Sequence, residues 1–376
     1  MKTAEQIDLL EELLGLRRDR SAFLDEVVER SPVKRYDDPA VFTAERDQIF
    51  RATPLAVAHI CELAEDGAFL SRDVAGAPII LTRGRDGVIH GFYNICRHRG
   101  ARLVDADQGC RHRFTCPYHA WTWDNQGHLI GVPHQAQGFP DLNKPAYGLK
   151  RVNVAVRFGW VWVQLDGEMD IDAFLAPVAD DLAWLGMERH VVFASDEKPW
   201  KVNWKIIAEG GLESYHFRVA HAQTVGGLFH DNLSSYQLRG PHIRSILVRN
   251  TIDELVEKPR DQWRIREHTN ILYSLFPTIS LLVQSDHIAV VLSSPTATDE
   301  TAIRILTMVP ETDATADRSE WWARNYGFTL KTLNEDFVIG EAIQANLAHG
   351  VNDELTFGRF EGALHAFNGV VDARLT

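Results

Sequence analysis

Near the start of the chain the apolar positions Ile7, Leu10, Leu13 and Leu14 recur at three- and four-residue intervals within 4–30, a stretch rich in Leu, Glu and Arg. This spacing predicts a helix. Asp38 followed by Pro39 opens a second predicted helix that runs through Arg51, because an acid before proline is a common helix start. From about residue 54 the texture changes. Short apolar runs such as APIILTR and GVIHGFYNIC alternate with Gly and Asp turns, which predicts antiparallel strands as far as FGWVWVQL at 158–165. Within this stretch Asn125–Gly127 reads as a turn. Residues 170–186 are predicted helical. VVFASDEKPWKVNWK reads as a strand leading into a helix over 204–222, and 243–308 returns to strand texture. The region 317–348 reads as a long helix with Trp321, Trp322, Tyr326, Leu330 and Leu333 on roughly one side. No internal repeat or low-complexity segment interrupts this order. The change from β texture to the acidic DGEMDIDAF stretch sets a boundary near 165. The expected organisation is a helical segment at 1–37, a β-rich domain at 38–165 and a larger domain at 166–376.

Composition adds bounds. The chain has 376 residues, 45% hydrophobic and 24% charged, enough for two cores without covalent staples. The formal charge of −13 argues against nucleic acid and anionic membranes as partners. No run reaches the roughly 18 apolar residues of a membrane helix. The opening MKTAEQIDLLEELLGLRRDR has no signal-peptide core, so the expected location is cytoplasmic. In that setting the four cysteines point to metal or to inert core thiols rather than to disulfides.

Two of the cysteines have histidine companions. CRHRG at 96–100 and CPYHAW at 116–121 supply Cys96, His98, Cys116 and His119, with seventeen residues between His98 and Cys116. Each segment offers one thiolate and one imidazole. A Rieske [2Fe–2S] cluster takes this donor set, two Cys on one iron and two His on the other. Cys₂His₂ zinc sites use the same residue types but usually pair like with like, Cys-x₂₋₄-Cys then His-x₃₋₅-His. Cys61 and Cys110 fall outside the pattern and read as ordinary thiols, as His112, His128 and His134 read as ordinary histidines. Trp121 and Trp123 alternate along a predicted strand and read as packing or shielding of the cluster.

A second constellation lies in NWKIIAEGGLESYHFRVAH, 203–221. His216 and His221 are five apart, which on a regular helix puts them about 140° apart. A helix end or distorted turn is needed to bring both rings onto one metal.

Taken together, CRHRG, CPYHAW, NWK, ESYHFRVAH and EDFVIGEAIQ resemble, in order and over about residues 38–365, the alpha subunit of Rieske non-heme iron oxygenases, the ring-hydroxylating dioxygenases and their demethylase relatives. The resemblance implies an α+β fold: a small all-β Rieske domain and a larger helix-grip-like catalytic domain with an antiparallel sheet. It implies a [2Fe–2S] cluster on Cys96, His98, Cys116 and His119, and Fe(II) on His216, His221 and an acid of the long helix. Asp336 matches that position best, with Glu335 and Glu341 as competitors. By the same resemblance Glu213 bridges His216 to His119 of another chain, and Glu at this place is similar to the subgroup acting on quaternary ammonium compounds. The implied activity is that of a terminal oxygenase that hydroxylates or oxidatively N- or O-demethylates a small organic substrate. The alternatives are ring cis-dihydroxylation and, from another class, a Rieske protein that only transfers electrons. The implied partners are a ferredoxin or an NAD(P)H-dependent reductase, since no nucleotide fingerprint is visible, and a homotrimer. Three further features stand out, of which the first is a departure from the family. Gly210-Gly211 replaces a frequent Asn-Phe. Ala101 and Tyr118 stand where respiratory Rieske proteins have a disulfide. GRFEGALHAF at 358–367 resembles the family's tail without evident chemistry.

Overall fold

The computed structural model describes residues 1–375; Thr376, the last residue of the expected catalytic domain, lies outside them. Two compact units emerge, Phe50–Ala173 and a larger one made of residues 1–49 and 174 onward. The smaller unit holds thirteen basic and thirteen acidic side chains, so the whole negative excess resides in the larger. Among the described residues no helix is long and apolar enough to cross a membrane.

The smaller unit is built of antiparallel sheets. Four strands run in the order Ile89–Tyr93, Ala77–Arg83, Ala68–Val74, Gln108–Cys110. Three more run Asn153–Arg157, Trp160–Gln164, Leu55–His59, and another three run Arg113–Thr115, Thr122–Asp124, Leu129–Gly131. The APIILTR and GVIHGFYNIC runs pair directly, with Ile79 opposite Tyr93. Phe69, Phe92, Phe114 and Trp123 fill the core. Gly127 makes the predicted turn with φ of 85°, and a Cβ there would lie 2.4 Å from the Phe92 ring, so only glycine fits.

The larger unit is organised by a seven-stranded antiparallel sheet in the order His190–Trp200, Glu300–Pro310, Ile288–Ala297, Ile279–Val283, Thr269–Leu275, His242–Arg249, Phe229–Arg239. The mixed α+β class is as expected. The long helix Ser319–Leu347 packs on strands 190–200 and 300–310, and helix Trp204–Gly211 packs on 288–297.

Several elements differ from their sequence expectations. The first helix covers only Thr3–Arg18: Arg20 takes φ of 49° and breaks the ladder, although Phe23, Leu24, Val27 and Val28 keep a helical spacing. Residues Glu29–Pro32 form instead a strand paired with Glu354–Phe357. The second predicted helix is regular from Pro39 to Glu45, with the Asp38 carboxylate accepting from Ala40 N at 2.8 Å. It then widens into a π-turn over Arg46–Phe50. Pro177 breaks the 170–186 helix, because proline lacks the N–H that the ladder needs. Strand Phe229–Arg239 carries too many polar residues to announce itself. On the long helix Trp322 is fully buried but Trp321 is 45% exposed: consecutive residues point about 100° apart and cannot share a face.

Helix 204–211 is seated on a buried polar layer. Lys205 Nζ and Glu45 Oε1 pair at 2.5 Å, both side chains fully buried. Trp204 Nε1 donates to Glu45 Oε2 at 2.8 Å. One turn on, the fully buried Glu209 accepts from Tyr36 Oη and Asn368 Nδ2, each at 2.8 Å. Burial pushes the Glu209 carboxyl up to about 7 against these hydrogen bonds, and burial likewise lowers the Lys205 ammonium against the pull of Glu45. We therefore expect Glu45→Ala to cost about 3–5 kcal/mol in denaturant unfolding, and Glu45→Leu with Lys205→Met to restore most of it. Equal losses in both variants would mean that the pair's charge is not what matters.

His242 gives a pH signature. Its Nε2 donates to Phe174 O at 2.9 Å and its Nδ1 accepts from Phe276 N at 3.1 Å, and the second of these bonds requires the neutral ring. Burial depresses it to about 4. The unfolded chain takes up this proton near pH 6.5 and the folded chain only near 4. Stability is therefore full above 6.5 and falls by about 3 kcal/mol between 6.5 and 4. Chemical denaturation of wild type and His242→Gln across that range should show a smaller acid loss in the variant.

Candidate metal centres

The two Cys-His segments fold alike. Cys96 N donates to Ala101 O at 2.8 Å and Gly100 N to Cys96 O at 3.0 Å. Cys116 N donates to Trp121 O at 2.8 Å and Ala120 N to Cys116 O at 3.0 Å. Each loop is thus closed by its cysteine, and each needs a left-handed residue four places on, Gly100 at φ 78° and Ala120 at φ 55°. Buried Asn94 pins the first loop: its side chain accepts from Leu103 N and Val104 N and donates to Val104 O and Ser71 Oγ.

The side chains converge. The rings of His98 and His119 lie 4.7 Å apart, and His98 stacks on Trp121 at 4.8 Å and 6°. Nδ1 of each histidine is buried without a hydrogen-bond partner, an expensive arrangement unless the atom is a ligand. Cys96 and Cys116 are buried beside each other, and burial raises the Cys96 thiol above its ordinary range. A bound metal cation would take the place of that proton. Among the described residues these four side chains do not form a group with three ligand atoms within 4.8 Å, as a single zinc ion would require. The orphaned nitrogens, paired thiols and wider spacing fit a two-iron cluster. Cys110 is exposed and Cys61 lies in a short 3₁₀ turn, both apart from this group.

The predicted 204–222 helix is two helices. Trp204–Gly211 stops at the glycine pair, and a short helix Phe217–Ala220 follows. His216 immediately precedes the short helix and His221 immediately follows it, so a spacing unsuited to a continuous helix brings the rings to 5.0 Å. Glu213 shapes the turn by accepting from the backbone N–H of Tyr215 and of His216.

Asp336 arrives from the long helix with Oδ1 3.0 Å from His221 Nε2 and 3.5 Å from His216 Nε2. His216, His221 and Asp336 form a group whose ligand atoms all lie within 4.8 Å. These residues could hold one divalent ion through two imidazoles and a carboxylate. The competitors have other work. Glu335 Oε2 accepts from His221 Nδ1 at 2.8 Å and from Thr224 Oγ1 at 2.6 Å. Glu341 accepts from Lys201 N at 2.9 Å. Glu213 pairs with His216 Nδ1. Each histidine therefore gives Nδ1–H to an outer carboxylate and turns Nε2 inward. Burial works to lower the His221 pKa, but Asp336 and Glu335 outweigh it and the net shift is upward.

These residues border a cavity of about 290 Å³. Ile206, Gly210 and Gly211 line it from helix 204–211, Phe337 and Ile339 from the long helix, and alternate residues of the sheet form its floor. A Cβ on Gly210 would meet nothing within 4 Å, so the glycine pair leaves open space beside the cavity. Sequence reading found the candidate ligands and missed Thr224 and the sheet floor. The period-two pattern Asn270, Leu272, Ser274 was the available signal, but it does not say which face looks inward.

Comparison with known proteins places this geometry. The model of the ring hydroxylating alpha subunit catalytic domain matches residues 187–376, and that of the Rieske [2Fe–2S] domain matches 53–153. The chain belongs to the ring-hydroxylating alpha subunit family and carries a Rieske [2Fe–2S] domain as well as the catalytic domain. It is 36% identical over 219 residues to the glycine betaine monooxygenase oxygenase subunit of Chromohalobacter salexigens, covering 58% of this chain and 49% of the relative. It is 30% identical over 205 residues to the chlorobenzene dioxygenase subunit alpha of a Cupriavidus species, covering 53% and 46%. The matched stretches thus span about half the length of these relatives. In fold it is similar to a quaternary ammonium Rieske monooxygenase in complex with L-carnitine (TM-score 0.79, 22% identity, 93% of this chain and 96% of that one). It is equally similar to naphthalene 1,2-dioxygenase from a Rhodococcus species bound to indole (TM-score 0.78, 22% identity, 98% of each chain).

Proposed function

We propose that this chain is the terminal oxygenase component of a multicomponent system and that it hydroxylates or oxidatively dealkylates a small organic substrate. The observation that carries this reading is the union, in one chain, of the Cys-His loop pair with a two-histidine, one-carboxylate group at the wall of an apolar cavity. In the assignment we favour, Cys96, His98, Cys116 and His119 hold the cluster, and His216, His221 and Asp336 hold Fe(II) on one face. When bound, the two groups supply electron relay and oxygen activation.

The chain's own residues do the rest. Glu213 and Glu335 accept the Nδ1 protons, which keeps both Nε2 lone pairs directed at the metal position and fixes the ring planes. The apolar walls exclude water from the reacting space. Glu213 Oε1, engaged among the described residues only with His216 Nδ1, has a lone pair for one further hydrogen bond, and we assign it the bridge to His119 of a neighbouring copy in a trimer. Electrons would come from a ferredoxin or an NAD(P)H-dependent reductase. The cluster-bearing unit has no net charge and does not repel an acidic donor, unlike the chain average. The reading includes a cytoplasmic location.

Hydroxylation of a methyl group on nitrogen or oxygen yields a hemiaminal or hemiacetal that releases formaldehyde. Ring cis-dihydroxylation is the second reading, favoured by the apolar cavity and by the relative named for chlorobenzene.

Metal analysis tests the ligand assignment. Wild type should carry about three Fe and two acid-labile sulfides per chain. Asp336→Ala and His216→Ala should keep the cluster spectrum, lose about one Fe and lose turnover. Glu335→Ala should weaken the mononuclear iron roughly 10- to 100-fold, and Glu341→Ala should change nothing. Glu213→Gln should keep both metals but slow single-turnover reoxidation of the cluster, and unchanged reoxidation would remove the bridge. Oxygen uptake coupled to formaldehyde detection across a substrate panel tests the reaction itself. Formaldehyde matching oxygen consumed supports dealkylation, whereas uptake with a diol product supports the second reading.

A further inference from the structure

The cavity floor carries a polar subsite that the metal chemistry leaves unused. Ser274 and Ser280 are direct cross-strand partners, and Ser280 stands opposite Val291 on the next strand. Just beyond them Ser293 N donates to Thr278 O at 2.9 Å, which sets Thr278 and Ser293 side by side. All four residues line the cavity, and among the described residues none of their hydroxyls makes a hydrogen bond to a protein group. The row next to them is Leu272, Leu282 and Ala289, which is wholly apolar.

The charges around the cavity are as telling. Among the described residues no lysine or arginine lines it, and the two carboxylates that do, Glu213 and Asp336, are both engaged with the histidines. Arg249 stands behind Asn270, donating to Asn270 Oδ1, and does not line the cavity itself. A substrate carboxylate buried against the hydroxyl row would lose its hydration with no lysine or arginine to replace it, at a cost of several kcal/mol. Hydroxyls, by contrast, satisfy an uncharged group as donors or acceptors.

We propose that Ser274, Thr278, Ser280 and Ser293 form a subsite for an uncharged hydrogen-bonding group (hydroxyl, carbonyl or ether) at one end of a neutral, otherwise apolar substrate. Zwitterionic quaternary ammonium carboxylates, the substrates named for several relatives, find no lysine or arginine among the described lining residues, so this subsite does not serve their carboxylate. The volume, at the small end of ligand cavities of roughly 300–1,000 Å³, suits a molecule of one or two rings. This inference rests on the reading of the cavity as the oxygenase substrate site.

The test is ligand binding to the metal-loaded enzyme, followed by calorimetry and by the fluorescence of Trp204, which borders the cavity. The probes are 4-propylphenol, propylbenzene and glycine betaine. The alkylphenol should bind more tightly than propylbenzene, and glycine betaine should give no signal at millimolar concentration. Ser274→Ala with Ser280→Ala should weaken 4-propylphenol roughly 5- to 10-fold and leave propylbenzene within about 2-fold. Ser293→Ala, a single mild change, should act in the same direction and keeps the test open if the double variant folds poorly. Tighter binding of glycine betaine than of the alkylphenol overturns the subsite, as does an equal loss for both aromatic probes in the serine variants. The two readings fail separately. Metal-dependent oxygen consumption driven by glycine betaine removes the subsite and leaves the oxygenase. The expected binding pattern in a protein without mononuclear iron removes the oxygenase and leaves the subsite.

Discussion

The candidate iron group depends on how one eight-residue helix, Trp204–Gly211, is seated. Its back face is held by the buried Lys205–Glu45 pair and by Glu209 beneath Tyr36 and Asn368. Its front face borders the cavity. Burying these charges is costly unless each is paired with good geometry, so the helix can sit in few other ways. Both Glu213 and His216 lie within five residues of its end. A rotation of the helix about its axis would carry them with it, and the group with Asp336 would open.

From that seat, local chemistry completes the site. The glycine pair stops the helix, Glu213 caps the turn that follows, and the short helix 217–220 sets a histidine at each end. Three carboxylates then surround two imidazoles, which is electrostatically balanced only if a cation joins them. Asp336 faces both Nε2 atoms, while Glu213 and Glu335 take the Nδ1 protons. In the assignment proposed above, the inner acid would hold the metal and the outer two would orient its ligands. The cluster loops solve a different problem. There the imidazole Nδ1 atoms are left without protein partners, and identical backbone closure around Cys96 and Cys116 presents both pairs.

Much of this was legible in the chain. Cys-x-His and Cys-x-x-His place donors within single tight turns, so the loops report their chemistry locally. The β texture of 54–165 and the long helix near 317–348 were visible because their periodicities are strong, and the observed helix is Ser319–Leu347. Other elements were misjudged for identifiable reasons. The spacing of Phe23, Leu24, Val27 and Val28 continues the helical pattern, whereas the left-handed backbone at Arg20 ends the first helix at Arg18. The 204–222 helix was drawn as continuous although Gly210-Gly211 marked its end. Strand 229–239 was missed because its partners, not its composition, make it a strand.

By itself the sequence determined which atoms are available: two thiols, four imidazoles, and an acid cluster on a helix, in an order shared with a known family. Short-range spacing and backbone propensity are sufficient for that. Only the tertiary structure separates Asp336, Glu335 and Glu341, because three acids on one helix differ in the direction they face: Asp336 toward the two Nε2 atoms, Glu335 toward His221 Nδ1 and Glu341 toward Lys201 N. It alone decided that the cavity floor pairs an apolar row with a row of hydroxyls and, among the described residues, carries no lysine or arginine. Strand register, which joins residues far apart in the chain, settles such matters, and no local pattern encodes it.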